Sequence, residues 1–193
     1  ADMYHGAEYY WTAKSSAYPF FTAVPFGMTA QELMGWIDFG GGQKLWDELS
    51  TQFGIKSIQT ANTGHQMGGW FRKEINTLDD LVGLKMRIPG QGGDVLRALG
   101  GSSVALPGGE IYQSTDQNAV HLDLLKREHG VQMRSFPDEV VSRMAEAAWD
   151  VRAASGRDGI EKRIYESFEA GLKLMRGWAD VSEGPYYAAR NSN

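Results

Sequence analysis

The order of short elements between Leu84 and Leu106 most constrains the fold. L-K-M-R-I reads as a strand, stopped by Pro89-Gly90. A helix then runs from Asp94 to Leu99, with Val95, Leu96 and Leu99 turned inward. Gly100-Gly101 ends it, and Ser103 to Leu106 reads as a second strand. Helices and strands alternating at this spacing argue for an α/β sheet with crossover helices. A further extended run, Gln66 to Phe71, precedes this unit and is also bounded by glycines. Arg87 stands at the end of its strand beside Gly90, Gly92 and Gly93. A guanidinium held there, where backbone approaches closely, suits a small carboxylate. The same residue also fits a solvated arginine on a surface turn.

The rest of the chain can be read around this unit. Met3 to His5 reads as the end of a strand, and Tyr9-Tyr10-Trp11 as either packing between elements or a pocket wall. Ala17 to Met28 is apolar but holds two prolines, so it is an edge or irregular segment. Thr29 and Glu32 spell a capping box that opens a helix to about Phe39, ended by three glycines. Lys44 to Phe53 reads as a helix and Ile55 to Thr60 as a half-buried strand. Thr77 and Asp80 cap a short helical turn. Pro107-Gly108-Gly109-Glu110 starts a helix at Ile111 that fails at Ser114. A helix from Asn118 to His129, a strand from Val131 to Phe136 and a helix from Pro137 to about Ala154 follow. The last long helix, Asp158 to Trp178, carries Ile160, Ile164, Phe168, Leu172, Met175 and Trp178 on one face. That stripe reads as core packing before it reads as a partner surface. Ser182 to Arg190 forms one more short helix.

Composition excludes several classes. A net charge of −5 gives no basic footprint for nucleic acid or an anionic membrane. With no cysteine there are no disulfides, thiolate metal sites or cysteine nucleophiles. No run approaches the roughly 18 apolar residues of a membrane span. His5, His65, His121 and His129 show no H-x-x-x-H spacing, and no acid–base pair can be placed, so the chain reads as a non-enzyme.

Several motifs occur together and in order: Y-Y-W, A-V-P-F-G-M-T-A, G-G-G-Q-K-L-W-D-E-L, N-T-G-H-Q-M-G-G-W-F, L-K-M-R-I-P-G, L-P-G-G-E-I-Y and F-P-D-E-V. They resemble the DctP-type substrate-binding proteins of TRAP transporters over nearly the whole chain. Within that family they are most similar to the subgroup that binds 2-oxo and 2-hydroxy monocarboxylates with a metal ion. The resemblance implies an α/β, periplasmic binding protein-like (type II) two-lobe fold with long C-terminal helices. It implies a periplasmic receptor that closes over an organic acid and delivers it to TRAP permease subunits in the membrane. Arg87 then makes the carboxylate salt bridge. Gln66 is a ligand of a Na⁺ or Ca²⁺ ion bridging the substrate, Asn62 bonds the substrate, and Tyr9 and Tyr10 supply a pocket wall. A neutral amide oxygen is a hard ligand suited to such ions. Strand alternation would turn His65 to the face opposite Gln66.

The sequence departs from the family pattern in two places. The family's chain starts well before Ala1, with a signal peptide and the first βα units of a lobe. After Gln113 the family's acidic-Trp motif, hinge strands and second-lobe segments are absent, and its C-terminal helix resumes at Ser114. The carboxylate metal ligand of that motif goes with them. The expected fold is therefore incomplete: residues 1–113 form a partial α/β lobe bearing the ligand motifs, and residues 114–193 a strand and long helices packing on or spanning the lobes. Uncovered apolar faces would favour a homodimer through the C-terminal helices. The alternative to a receptor is an interaction or signalling module that keeps the scaffold without the ligand.

Overall fold

The structure is a computed structural model. It describes residues 3–64, 68–104 and 115–190, and for residues 115–121 and 190 the backbone alone. Two 3-10 turns, Glu8–Trp11 and Tyr18–Phe21, lead into helices α1 (Ala30–Phe39) and α2 (Gly42–Thr51). A third 3-10 turn, Leu78–Leu81, precedes strand β1 (Lys85–Arg87), helix α3 (Gly90–Ala98) and strand β2 (Ser102–Val104). Helices α4 (Thr115–His129), α5 (Asp138–Ser155), α6 (Gly159–Ala179) and α7 (Glu183–Arg190) complete the chain.

The capping signals act as written. Thr29 accepts the Glu32 N–H, and the Glu32 carboxylate accepts the Thr29 N–H at 2.7 Å. Thr77 and Asp80 repeat the device at the third 3-10 turn. Helix ends carry orphan N–H groups, and these side chains satisfy them where they occur.

The main core is aromatic. Phe20 and Phe21 from the second 3-10 turn meet Trp36 of α1, Trp46 of α2 and Phe168 of α6. Phe21 stacks on Trp46 at 5.1 Å, and Trp36 meets Phe168 edge-on at 5.4 Å. Pairs of this kind add about 1 kcal/mol each beyond their buried area. The α6 stripe is core as far as Met175, whose methyl lies over Gly35. Trp178 departs from it: it is 68% exposed, beyond the reach of α1. A smaller cluster joins Val95 of α3 to Ala147 and Ala148 of α5.

Strand pairing is sparser than the sequence pattern predicts. β1 and β2 run parallel, Arg87 opposite Val104, with α3 as their crossover. Met3–His5, Ile55–Thr60, Val131–Phe136 and the described part of Gln66–Phe71, residues 68–71, form no strand. A strand exists only through a ladder partner, and alternation cannot supply one. These segments satisfy themselves otherwise: the Ser57 carbonyl accepts the Gln43 side-chain amide at 2.9 Å, and Phe136 packs edge-on against Phe71 at 5.7 Å. Helix α3 begins at Gly90 rather than Asp94 because its glycines serve close packing instead of breaking the helix. A Cβ on Gly93 would stand 2.7 Å from the Ile88 carbonyl oxygen and 2.8 Å from Ser103 Oγ. Helix α4 starts at Thr115, ahead of the predicted Asn118. The predicted Ile111 helix and the boundary at residues 113 and 114 lie outside the described residues.

One buried cation ties the C-terminal helices to the N-terminal half. Arg152 of α5 is 2% exposed; its Nε donates to Glu169 of α6 at 2.9 Å and its Nη1 to the Pro25 carbonyl at 3.0 Å. Arg176 donates to the Phe26 carbonyl at 2.9 Å. Phe26 has φ 55, the one positive value at a non-glycine among the described residues. Two arginines thus hold a turn that its own backbone disfavours.

Candidate functional site

The site is built where the first 3-10 turn meets the end of β1. Pairing with β2 stops at Arg87, after which Ile88 N–H reaches the Val104 carbonyl at 3.2 Å. Pro89 then turns the chain into α3. Arg87 is half-buried, and its Nη2 donates to the Tyr10 hydroxyl at 2.7 Å. The hydroxyl orients the guanidinium fork, which is planar and suited to a carboxylate.

Gly90 allows this meeting. Its φ is +61, and a Cβ there would lie 2.8 Å from the Tyr9 Cβ. Both observations exclude a larger residue at little strain. The Tyr9 and Tyr10 rings are 4.8 Å apart at 59°. Burial pushes the Tyr9 phenol above its usual value, and the neighbouring Tyr10 adds to this while the Arg87 charge opposes it. Tyr9 is therefore a neutral phenol across the physiological range, an apolar wall with a polar tip.

The predicted residues divide unevenly. Arg87, Tyr9 and Tyr10 come together. Asn62 is exposed and engaged in its own turn, its Oδ1 accepting the Gly64 N–H at 2.7 Å with Gly64 at φ 68. Gln66 and His65 lie outside the described residues. Among the described residues no group of three or more histidine or acidic side chains is placed to hold a metal ion.

Two neighbours escaped the sequence reading. Glu8 opens the tyrosine turn, and its Oε1 accepts the Trp46 indole N–H at 3.1 Å. Gln91 follows Gly90 and is 1% exposed. Its Nε2 donates to Ser155 Oγ at 3.1 Å, and its Oε1 has no partner among the described residues. Ser155 spends its own proton on the Val151 carbonyl, which fixes the direction of that bond. A glutamate abutting Y-Y and a glutamine between glycines were the available signals, but nothing local marks either as buried.

This architecture has known counterparts. Residues 1–121 match the family of bacterial extracellular solute-binding proteins, family 7 (DctP). The chain belongs to this family. Its members bind solutes outside the cytoplasm. Over 116 residues the chain is 47% identical to the monocarboxylate 2-oxoacid-binding periplasmic protein of Nostoc sp. (strain PCC 7120), a match covering 60% of the chain and 32% of that relative. The chain thus aligns with about a third of the curated relative's length. Two solved structures share its fold. A TRAP periplasmic solute-binding protein from Pseudoalteromonas atlantica T6c, with bound sodium and pyruvate, superposes with a TM-score of 0.87 at 31% identity, covering 95% of this chain and 79% of that one. One from Colwellia psychrerythraea, with bound calcium and pyruvate, gives 0.86 at 30% identity, covering 96% and 80%. The fold is therefore that of the type II two-lobe binding proteins, represented here in part, as the motifs implied. Among the described residues no helix is long and apolar enough to cross a membrane.

Proposed function

We propose that this chain is a periplasmic solute receptor that captures a 2-oxo or 2-hydroxy monocarboxylate and passes it to TRAP permease subunits in the membrane. The carrying observation is the half-buried Arg87 guanidinium at the end of β1, oriented by the Tyr10 hydroxyl at 2.7 Å. In this reading Arg87 neutralises the carboxylate, and Tyr9 and Tyr10 form the wall beside it. Asn62 is the further hydrogen-bond partner of the acid in this reading, its Oδ1 accepting the Gly64 N–H in the ligand-free chain. Gln66 would supply an amide oxygen to a Na⁺ or Ca²⁺ ion, whose charge would help hold the acid anion. The pyruvate and the cations bound by the two structural relatives support the ligand class. The reaction is binding alone, with no bond made or broken in the acid.

Residues 1–113 then carry the ligand, and the helices of 114–193 brace them. The brace reaches the site through Gln91 and Ser155 and the N-terminal turns through Arg152. Leu174 and Trp178 of α6 and Val181 just beyond it make an exposed apolar stripe, and Tyr186 and Tyr187 of α7 are exposed as well. A homodimer through this end covers the stripe, and light scattering across a concentration series tests it.

Calorimetry with pyruvate and with lactate, in calcium or sodium chloride, tests the receptor. Arg87→Ala loses affinity by about a hundredfold or more, since two charge-assisted bonds vanish. Its melting temperature stays near that of the wild type. No heat from either acid with the wild-type chain, in either salt, overturns the reading.

A further inference from the structure

Glu8 has no part in the carboxylate reading, yet it opens the turn that carries both tyrosines. It is half-buried and held from two sides. Its backbone N–H donates to Thr22 Oγ1 at 2.9 Å, and its Oε1 accepts the Trp46 indole N–H at 3.1 Å. Trp46 is itself fixed, stacked on Phe21 with 4° between the ring planes. Thr22 closes the second 3-10 turn, whose four residues are all buried. The first residue of the tyrosine turn is therefore fastened to the aromatic core. Two residues on, the same turn presents the Tyr10 hydroxyl to Arg87. A 3-10 turn holds about three residues, so Glu8 and Tyr10 project to different sides. One side faces the aromatic core and the other faces the strand end.

We propose that Glu8 is a positioning residue for Arg87: clamped by Thr22 and Trp46, it fixes the tyrosine turn and with it the hydroxyl that orients the guanidinium. The core then sets the site's geometry through one short turn rather than through the sheet, which among the described residues is a pair of strands. The consequence for ligand affinity rests on Arg87 being the carboxylate holder. The consequence for the Arg87–Tyr10 pair does not.

Nuclear magnetic resonance of the ligand-free full chain separates the two. The signals to follow are the Arg87 Nε–H and the Tyr10 ring, assigned with Arg87→Lys and Tyr10→Phe. Glu8→Ala moves both, and the Arg87 shift matches that of Tyr10→Phe. Glu8→Gln restores both, because an amide oxygen still accepts from the indole. Should Glu8→Ala fail to fold, Thr22→Val removes one clamp without touching the carboxyl and moves the same signals less. Arg87 and Tyr10 signals at wild-type positions in the folded Glu8→Ala protein, or in Thr22→Val where only that variant folds, overturn the proposal. In calorimetry with pyruvate and calcium chloride, Glu8→Ala weakens binding about tenfold and Glu8→Gln less than about threefold. Shifted signals with no pyruvate binding by the wild type would sink the receptor reading and leave the positioning role standing.

Discussion

The aromatic core and the strand-end site are built on opposite principles. Around Phe20, Phe21, Trp36, Trp46 and Phe168, large apolar side chains from one turn and three helices fill one volume. Their stability comes from removing area from water, at roughly 25 cal/mol per Å². Around Arg87 the side chains are half-buried and polar bonding sets their places. A two-stranded ladder, a glycine at φ +61 and a few side-chain hydrogen bonds place the groups. Each such bond nets only about 1 kcal/mol. The core can thus lose precision before it loses its shape. The site can lose its shape with almost no change in total stability, and it takes its geometry from the core through Glu8 and Trp46.

The largest effect should come from the core. Phe168→Ala removes the ring that Phe20 meets at 5.1 Å and Trp36 at 5.4 Å. It is expected to cost about 3–5 kcal/mol in urea denaturation. A loss below about 1 kcal/mol would mean that the core is loosely packed and the contrast is false.

Next comes Arg152→Ala, which strands a carbonyl and leaves Glu169 without its partner. Glu169 keeps some contact with water, so the cost should fall near the low end for a broken buried pair, about 3 kcal/mol. The Val24–Met28 turn should also exchange its amide hydrogens faster, because one of the two arginines that hold the positive φ of Phe26 is lost.

Gly90→Ala probes the other region. A left-handed non-glycine residue costs about 1–2 kcal/mol, and the new methyl meets Tyr9. Tyrosine ring signals and pyruvate affinity should change more than the denaturation midpoint. The reverse pattern would make Gly90 a fold residue and nothing more.

The smallest effects separate burial from bonding. Gln91→Leu removes a buried carbonyl with no partner among the described residues, which offsets the lost bond to Ser155, so the net change in thermal melts should stay within about 1 kcal/mol. Glu8 is held above the ordinary glutamate range by burial, with bonds from Ser57 and Trp46 opposing. A raised value means that the fold prefers the neutral acid. The stability it contributes is full below about pH 4.5 and is lost as pH rises through the raised value. Glu8→Gln should therefore equal the wild type near pH 4 and match or exceed it near pH 7 by urea midpoint. Asp47, lowered chiefly by its bond to Lys56, acts in the opposite sense, its contribution fading on acidification. Being exposed, it adds little.

Whatever depends on near neighbours could be read from the order of the residues. The capping boxes at Thr29 and Thr77, the strand ending at Arg87, the crossover to β2 and most of the α6 stripe were legible because each is a pattern written in consecutive residues. The ordered motifs gave the family for the same reason: each is a local string. Tertiary structure alone decided which alternating segments found a ladder, and Ile55–Thr60 and Val131–Phe136 did not. It also decided that Trp178 would be bare while Gln91 was buried, and that Asn62 would turn on itself while Tyr10 met Arg87 from 77 residues away. Pairing and burial are properties of what arrives from elsewhere in the chain, and no periodicity within a segment encodes its distant partner.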